Sequence, residues 1–157
     1  MLRFRAWLTA LLALLAPGCS PPRYIESPPY PKEKMAIFEA VLTTLERQGY
    51  RIQSIQEQNQ ITGVQVKLSP FNKQGTRRTA TVILESRPEG MVVRLMVERE
   101  LNTNITNPLD EAQADWGSRD FDTEAEELLL SMIGMKVMPP QIPPSAPGRQ
   151  PGSPSRK

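Results

Sequence analysis

Apolar residues in this chain recur with two different periods, and each change of period marks an element. Met35, Phe38, Val41, Leu42 and Leu45 stand three and four residues apart, which predicts an amphipathic helix over 33–48. Glu33 near its start and Arg47 near its end complement the helix dipole, and Gly49 is placed to end it in a left-handed conformation. From Tyr50 the period falls to two. Residues 50–56 predict a strand with Tyr50 and Ile52 on one face, and Ile55 breaks the alternation, the mark of a bulge or an early end. A second strand is predicted over 60–68, with Val64, Val66 and Leu68 inward. A third over 77–86 places Ala80, Val82 and Leu84 inward, and a fourth over 91–100 places Val93, Leu95 and Val97 inward.

Between the last two strands lies Ser86-Arg87-Pro88-Glu89-Gly90. A two-residue hairpin loop prefers positive φ at its first position, which proline cannot adopt. The expected loop is therefore Pro88–Met91, pairing Leu84 with Leu95, Val82 with Val97, Glu85 with Arg94 and Ile83 with Met96. Residues 101–121 lack a clean period and predict a long irregular loop pinned by Ile105, Leu109 and Trp116. A second helix then opens near Asp122 or Thr123, with Thr123 and Glu126 at capping-box spacing. Ala125, Leu128, Leu129, Met132 and Ile133 give its apolar stripe, and Gly134 its stop.

Short links make successive strands antiparallel neighbours, and both helices need the apolar sheet face. The expected fold class is α+β: a two-layer sandwich of helix, four-stranded antiparallel meander and helix over 33–137. The flanks differ. Ser20 to Lys32 holds five prolines and reads as an extended tether, able to hold the domain roughly 40 Å from its attachment at about 3.1 Å per residue. Residues 138–157 hold seven prolines and little apolar bulk, and read as a disordered tail.

The N-terminus gives the compartment. Arg3 and Arg5 precede an uncharged Leu- and Ala-rich run over 6–16, shorter than the roughly 20 apolar residues of a spanning helix. It ends in Leu15-Ala16-Pro17-Gly18-Cys19, and Cys19 is the sole cysteine. This arrangement resembles a bacterial lipoprotein signal with its lipobox, although Pro17 stands where Ala, Ser or Thr is usual. The resemblance implies a signal peptide over 1–18, removed on export, and acyl chains on Cys19 as the only covalent group. With Ser20 and not Asp next, it further implies the outer membrane, facing the periplasm. The element order is similar to that of the helix-grip domains of the C-subunit lipoprotein of the β-barrel assembly machine.

Charge and composition narrow the chemistry. Arg3 and Arg5 account for the whole excess of 19 Lys and Arg over 17 Asp and Glu, so the mature chain is formally neutral. Bulk phosphate binding needs clustered cations, so nucleic acid is not an expected partner. The chain has no histidine, the commonest general base and metal ligand. No nucleophile motif surrounds any Ser or Lys. Neither a catalytic site, a metal nor a cofactor beyond the lipid is expected.

Three groups remain as candidate sites. Asp120, Asp122, Glu124, Glu126 and Glu127 lack calcium-loop spacing and fit the dipole at a helix start. Lys73, Arg77 and Arg78 form a candidate patch for anionic headgroups or an acidic partner, though a solvated strand edge accounts for them more simply. Ile83, Val92 and Met96 fall by parity on the outer sheet face and form a candidate partner surface. The expected function is thus a non-catalytic envelope lipoprotein, an accessory or scaffold subunit docking a protein partner. The alternative is a carrier of a small apolar or lipid ligand between helices and sheet, in a pocket lined by Phe38, Val64, Leu84 and Leu128.

The composition of the tail generates a direct expectation. Deleting 139–157 leaves the thermal melting transition nearly unchanged, because these residues bury little; a loss of several kcal/mol on deletion contradicts it.

Overall fold

The computed structural model describes residues 23–70 and 74–138. Cys19, Lys73 and the tail lie outside the described residues. The elements in chain order are β1 (Ile25–Glu26), α1 (Lys34–Arg47), β2 (Arg51–Gln56), β3 (Gln60–Ser69), β4 (Gln74–Arg87) and β5 (Gly90–Asn102). A 3₁₀ turn (Glu111–Gln113), β6 (Trp116–Phe121) and α2 (Thr123–Val137) complete them.

The four central strands and two helices occupy nearly the stretches the periodicity assigns, but the helix–four-strand–helix sandwich is not what forms. The sheet has six antiparallel strands in the order β1-β5-β4-β3-β2, and β6 also pairs β5. Both extra strands come from stretches that lack a period-two signal. β1 lies in the proline-rich segment expected to be a tether. Ile25 pairs Leu95, Glu26 pairs Arg94, and Tyr30 forms an isolated bridge with Met91. Its prolines fall between or after the hydrogen-bonded residues, where a missing N–H costs nothing. Tyr30 is 3 % exposed, so the folded unit begins well before residue 33. β6 lies in the expected irregular loop, pairing Glu98 with Phe121 and Asn102 with Trp116.

β1 and β6 share one edge of β5 and leave a gap at Val97. The Asp122 N–H donates to the Val97 carbonyl at 2.8 Å, and the Val97 N–H donates to Glu126 Oε1 at 3.0 Å. Glu126 is fully buried, so the expected capping-box acid is instead a plug in the sheet edge. The N-cap of α2 is Asp122, whose carboxylate accepts from the Ala125 N–H.

Both helices cover one sheet face. Ile37, Phe38, Val41 and Leu45 of α1 and Leu129, Ile133 and Val137 of α2 pack onto Ala80, Val82, Leu84, Val93, Leu95 and Val97. Parity on β4 and β5 is as the alternation predicts. On β3 it is reversed: Ile61 pairs Val82 and Gly63 pairs Ala80, so Ile61, Gly63 and Gln65 face the helices while Val64, Val66 and Leu68 face away. The reason is Tyr50. A Cβ at Gly63 lies 3.2 Å from Tyr50 Cβ and 3.6 Å from Ile52 Cδ1, so side chains from β2 and its approach fill the space above Gly63. α2 runs past Gly134, where the Tyr30 hydroxyl packs against the glycine, and Leu128 is turned to solvent. The proposed Phe38–Val64–Leu84–Leu128 pocket therefore does not exist: Val64 lies on the opposite sheet face, and Leu128 is exposed.

The β4–β5 register differs from expectation by two residues. Leu84 faces Val93, Val82 faces Leu95, Ile83 faces Arg94, and Arg87 faces Gly90 across a two-residue Pro88-Glu89 loop. Neither loop residue has positive φ; Gly90 has φ 140°. The proline constraint is met two positions later, because Gly90 absorbs the conformation that Pro88 cannot. A Cβ on Gly90 lies 2.6 Å from the Tyr30 carbonyl oxygen, which itself accepts from the Met91 N–H at 3.0 Å.

Gly90→Ala therefore combines backbone strain with a collision against the segment that follows β1. It is expected to cost about 2–3 kcal/mol in a urea melt. Gly49→Ala has positive φ without the collision (φ 81°, nearest atom 3.5 Å) and is expected to cost about 1 kcal/mol. Equal costs for the two contradict the assignment.

Candidate functional site

The outer face of the sheet, away from the helices, carries the residues singled out in the sequence, but in a different arrangement. Ile83, Val92 and Met96 do lie on that face. They are not an open patch: Val92 is 1 % and Met96 8 % exposed, and Ile83 is half-buried. Their opposite numbers are long and charged or polar, Arg94 facing Ile83, Glu85 facing Val92 and Thr81 facing Met96. Glu26, Glu85, Arg87 and Arg94 form an ion-pair network on the same strands, at 3.1–3.8 Å, and Arg94 stacks 5.0 Å from the Tyr24 ring. The Glu85 carboxyl is held below the usual carboxylate range, chiefly by its hydrogen bond from Arg87.

Arg77 and Arg78 do not form one cationic patch. Adjacent residues on a strand point to opposite faces. Arg77 faces outward, pairing Glu100 at 2.7 Å and stacking 5.0 Å from the Trp116 ring. Arg78 faces the helix side and pairs Asp122 at 2.7 Å. Both charges are neutralised within the fold. Trp116 is thereby a pin holding β6 to the sheet.

On the helix side, a small polar cavity of about 160 Å³ sits between the end of α1 and the start of α2, lined in part by Gln48, Tyr50, Gln65, Arg78 and Asp122. Gln65 Nε2 donates to the Gln48 carbonyl, Arg78 donates to Gln65 Oε1 at 3.4 Å, and Asp122 closes the chain. Burial pushes the Tyr50 hydroxyl up to about 12, with Arg78 opposing. Burial also acts to raise Asp122, but the Ala125 N–H and Arg78 outweigh it and hold its carboxyl below the usual range. The cavity thus holds a neutral phenol and an ionised, paired acid, neither poised to exchange a proton near neutrality. Among the described residues no group of three or more Cys, Asp or Glu converges as a metal site.

The feature that the sequence pattern did not reveal is the loop 103–115. It is built by its own polar side chains. Asn102 Oδ1 accepts from the Asn104 and Asp115 N–H groups, and Asn104 Oδ1 accepts from Thr106 and Asn107, all at 3.0 Å. Asn104 Nδ2 donates to the Gln113 carbonyl at 2.7 Å, and Asn102 Nδ2 to the Pro108 carbonyl at 3.1 Å. The loop crosses the far end of the outer face. Pro108 lies close to Gly75, and Glu111 reaches Arg51 on β2 at 2.7 Å. On the same face Val64, 7 % exposed, is paired with Arg51, and Leu68 lies beside Gly75 near Pro108. It does not bury its own apolar residues: Ile105 is 94 % and Leu109 40 % exposed, against the expectation that they pin the loop. With Pro70 and Pro108 they border an open groove of about 470 Å³. The signal in the sequence was the run of Asn and Asp at 102, 104, 107 and 110, each able to accept from backbone N–H groups nearby.

No protein-family model matches the chain, and no curated protein matches it in sequence.

The Asp122 and Glu100 carboxyls fix a pH dependence. Arg77 is the main cause holding Glu100 below its ordinary value. A carboxyl depressed in the folded state stabilises the fold above the unfolded value and loses that contribution as pH falls through the folded one. The domain is therefore expected to hold constant stability above about pH 5 and to lose it progressively below about pH 4. Asp122→Asn keeps a capping side chain but removes the charge. In urea melts it is expected to cost about 1–2 kcal/mol at pH 7, and the gap to wild type narrows by about pH 3. A gap independent of pH contradicts the assignment.

Proposed function

We propose that the chain is a membrane-anchored envelope lipoprotein, held at the outer membrane through acylated Cys19, and a non-catalytic accessory subunit that docks a protein partner through its 103–115 loop. The observation that carries the docking reading is Ile105. A large apolar side chain left 94 % exposed is ordinary on a mobile loop, where it samples many positions. Here it sits in a loop whose backbone is fixed by a network of Asn side chains, and Leu109 lines the same groove. Such a fixed apolar projection is preorganised for a partner's apolar pocket, since little ordering entropy is lost on contact. Ion pairing of Arg78 with Asp122 and of Arg77 with Glu100 supports a structural role for the charged residues. Neither described helix is long and apolar enough to cross a membrane, consistent with attachment through a lipid.

Affinity purification from detergent-solubilised membranes tests this reading. Ile105→Asp is expected to leave the melting transition within about 0.5 kcal/mol of wild type, as for other exposed positions, while abolishing co-purification of the partner. Cys19→Ser is expected to release the protein from the membrane fraction or leave the precursor uncleaved. Unchanged co-purification with Ile105→Asp removes the docking reading. A Cys19→Ser variant processed and fractionating like wild type removes the anchoring one.

A further inference from the structure

Six peptide steps separate Cys19 from Ile25, and at a maximum of about 3.3–3.6 Å per step they reach about 20 Å. Ile25 is not free to extend that reach, being paired with Leu95 and packed against the core. A domain of this size has a radius of gyration of about 13 Å, and so measures roughly 30–35 Å across. The anchor is shorter than the domain is wide. We infer that the β1 edge of the sheet, together with the α2 face beside it, is a docking surface for the lipid bilayer. The inference rests on the anchoring part of the reading above and specifies how the anchored domain sits.

That edge has the chemistry of an interfacial surface. α2 runs alongside β1, from Asp122 bonded to Val97 to Gly134 packed against the Tyr30 hydroxyl. Between them lies an open groove of about 600 Å³ with Pro28, Tyr30, Leu130, Met135 and Met138 in its lining. Met135 is 57 % and Met138 48 % exposed, on the side of α2 turned away from the core formed by Leu129, Ile133 and Val137. Methionine adapts to a fluid apolar surface without a fixed complementary shape. Lys32 is exposed in the segment after Tyr30, Glu26 in the groove lining is paired with Arg87 and Arg94, and Glu124 and Glu127 lie at the opposite end of the helix. Exposed apolar side chains bordered by a lysine suit the headgroup layer. A tether of about 20 Å leaves no room for a second folded domain between this edge and the membrane, and so favours lipid over protein as the occupant.

The test uses the full-length acylated protein in vesicles of phosphatidylethanolamine and phosphatidylglycerol. Because acylation blocks Cys19, a single new thiol is introduced as Met135→Cys or Met138→Cys. Ile55→Cys, an exposed position on β2 at the opposite sheet edge, is the control. Each thiol carries an environment-sensitive fluorophore, and the vesicles carry lipids with a nitroxide near the headgroup. Emission from 135 and 138 is expected to shift to the blue and to be quenched several-fold more than emission from 55. Equal, weak quenching at all three sites in protein that still floats with the vesicles overturns the inference and leaves the anchoring reading intact. In native membranes supplied with the same nitroxide lipids, a blue shift at 135 without quenching means that a protein covers the groove, and overturns it as well. Protein that does not float with the vesicles overturns both.

Discussion

The second edge of β5 is the constraint on which the rest of the structure depends. The strand is 13 residues long, and its first edge is fully paired with β4. Every N–H and C=O on the other edge also needs a partner, and no single segment is long enough to supply them. Three segments supply them together. β1 and the Tyr30 bridge cover one end, β6 covers the other, and the start of α2 fills the gap at Val97. The gap is closed by the fully buried side chain of Glu126, whose Oε1 accepts from the Val97 N–H while its Oε2 has no hydrogen-bond partner among the described residues. The N-terminal segment, the outer strap and the second helix are thereby tied to one strand.

The outer face follows from the same arrangement. Once β6 is paired at the end of β5, the segment between them must leave and return, and it does so across the sheet. The strap passes Gly75 at Pro108 and reaches Arg51 on the opposite edge through Glu111. Its geometry is held by asparagines rather than by an apolar core, so its own isoleucine and leucine remain outside. At the other end of the same face, ion pairs among Glu26, Glu85, Arg87 and Arg94 accompany the buried Val92 and Met96. The face that parity marked as an open patch is closed by two different devices, and exposed apolar side chains are grouped on the strap (Ile105, Leu109) and on α2 (Leu128, Met135), beside single ones at Met35, Ile55 and Phe121.

These features give the domain two distinct ends. The β1 edge lies within a short length of chain from Cys19, and the strap lies at the far end of β5, beyond Asn102. Under the proposed reading, the first end faces the membrane and the second presents fixed apolar side chains to a partner. The polar cavity between the helices serves the fold: its hydrogen bonds join the end of α1 to the start of α2, with Arg78 and Asp122 paired and the Tyr50 hydroxyl pushed far from neutrality.

The sequence alone determined the elements whose signals are local. The stripe of Phe38, Val41 and Leu45, the start of α2 near Asp122, an irregularity in β2, and the inward parity of β4 and β5 all follow from side-chain spacing, which acts over a few residues; that Asp122 and not Thr123 is the N-cap did not. The sole cysteine after a short apolar run was likewise legible. Tertiary structure decided what depends on distant partners. The Ile25–Tyr30 segment is a strand only because β5 offers it an edge. The strap lies across the sheet only because β6 brings its end back. β3 presents Gly63 inward only because Tyr50 and Ile52 fill the space above it, and the hairpin register depends on Gly90 meeting the Tyr30 carbonyl. Alternation shows that a strand has two faces; it does not show which is covered, because that depends on what the rest of the chain brings to each side.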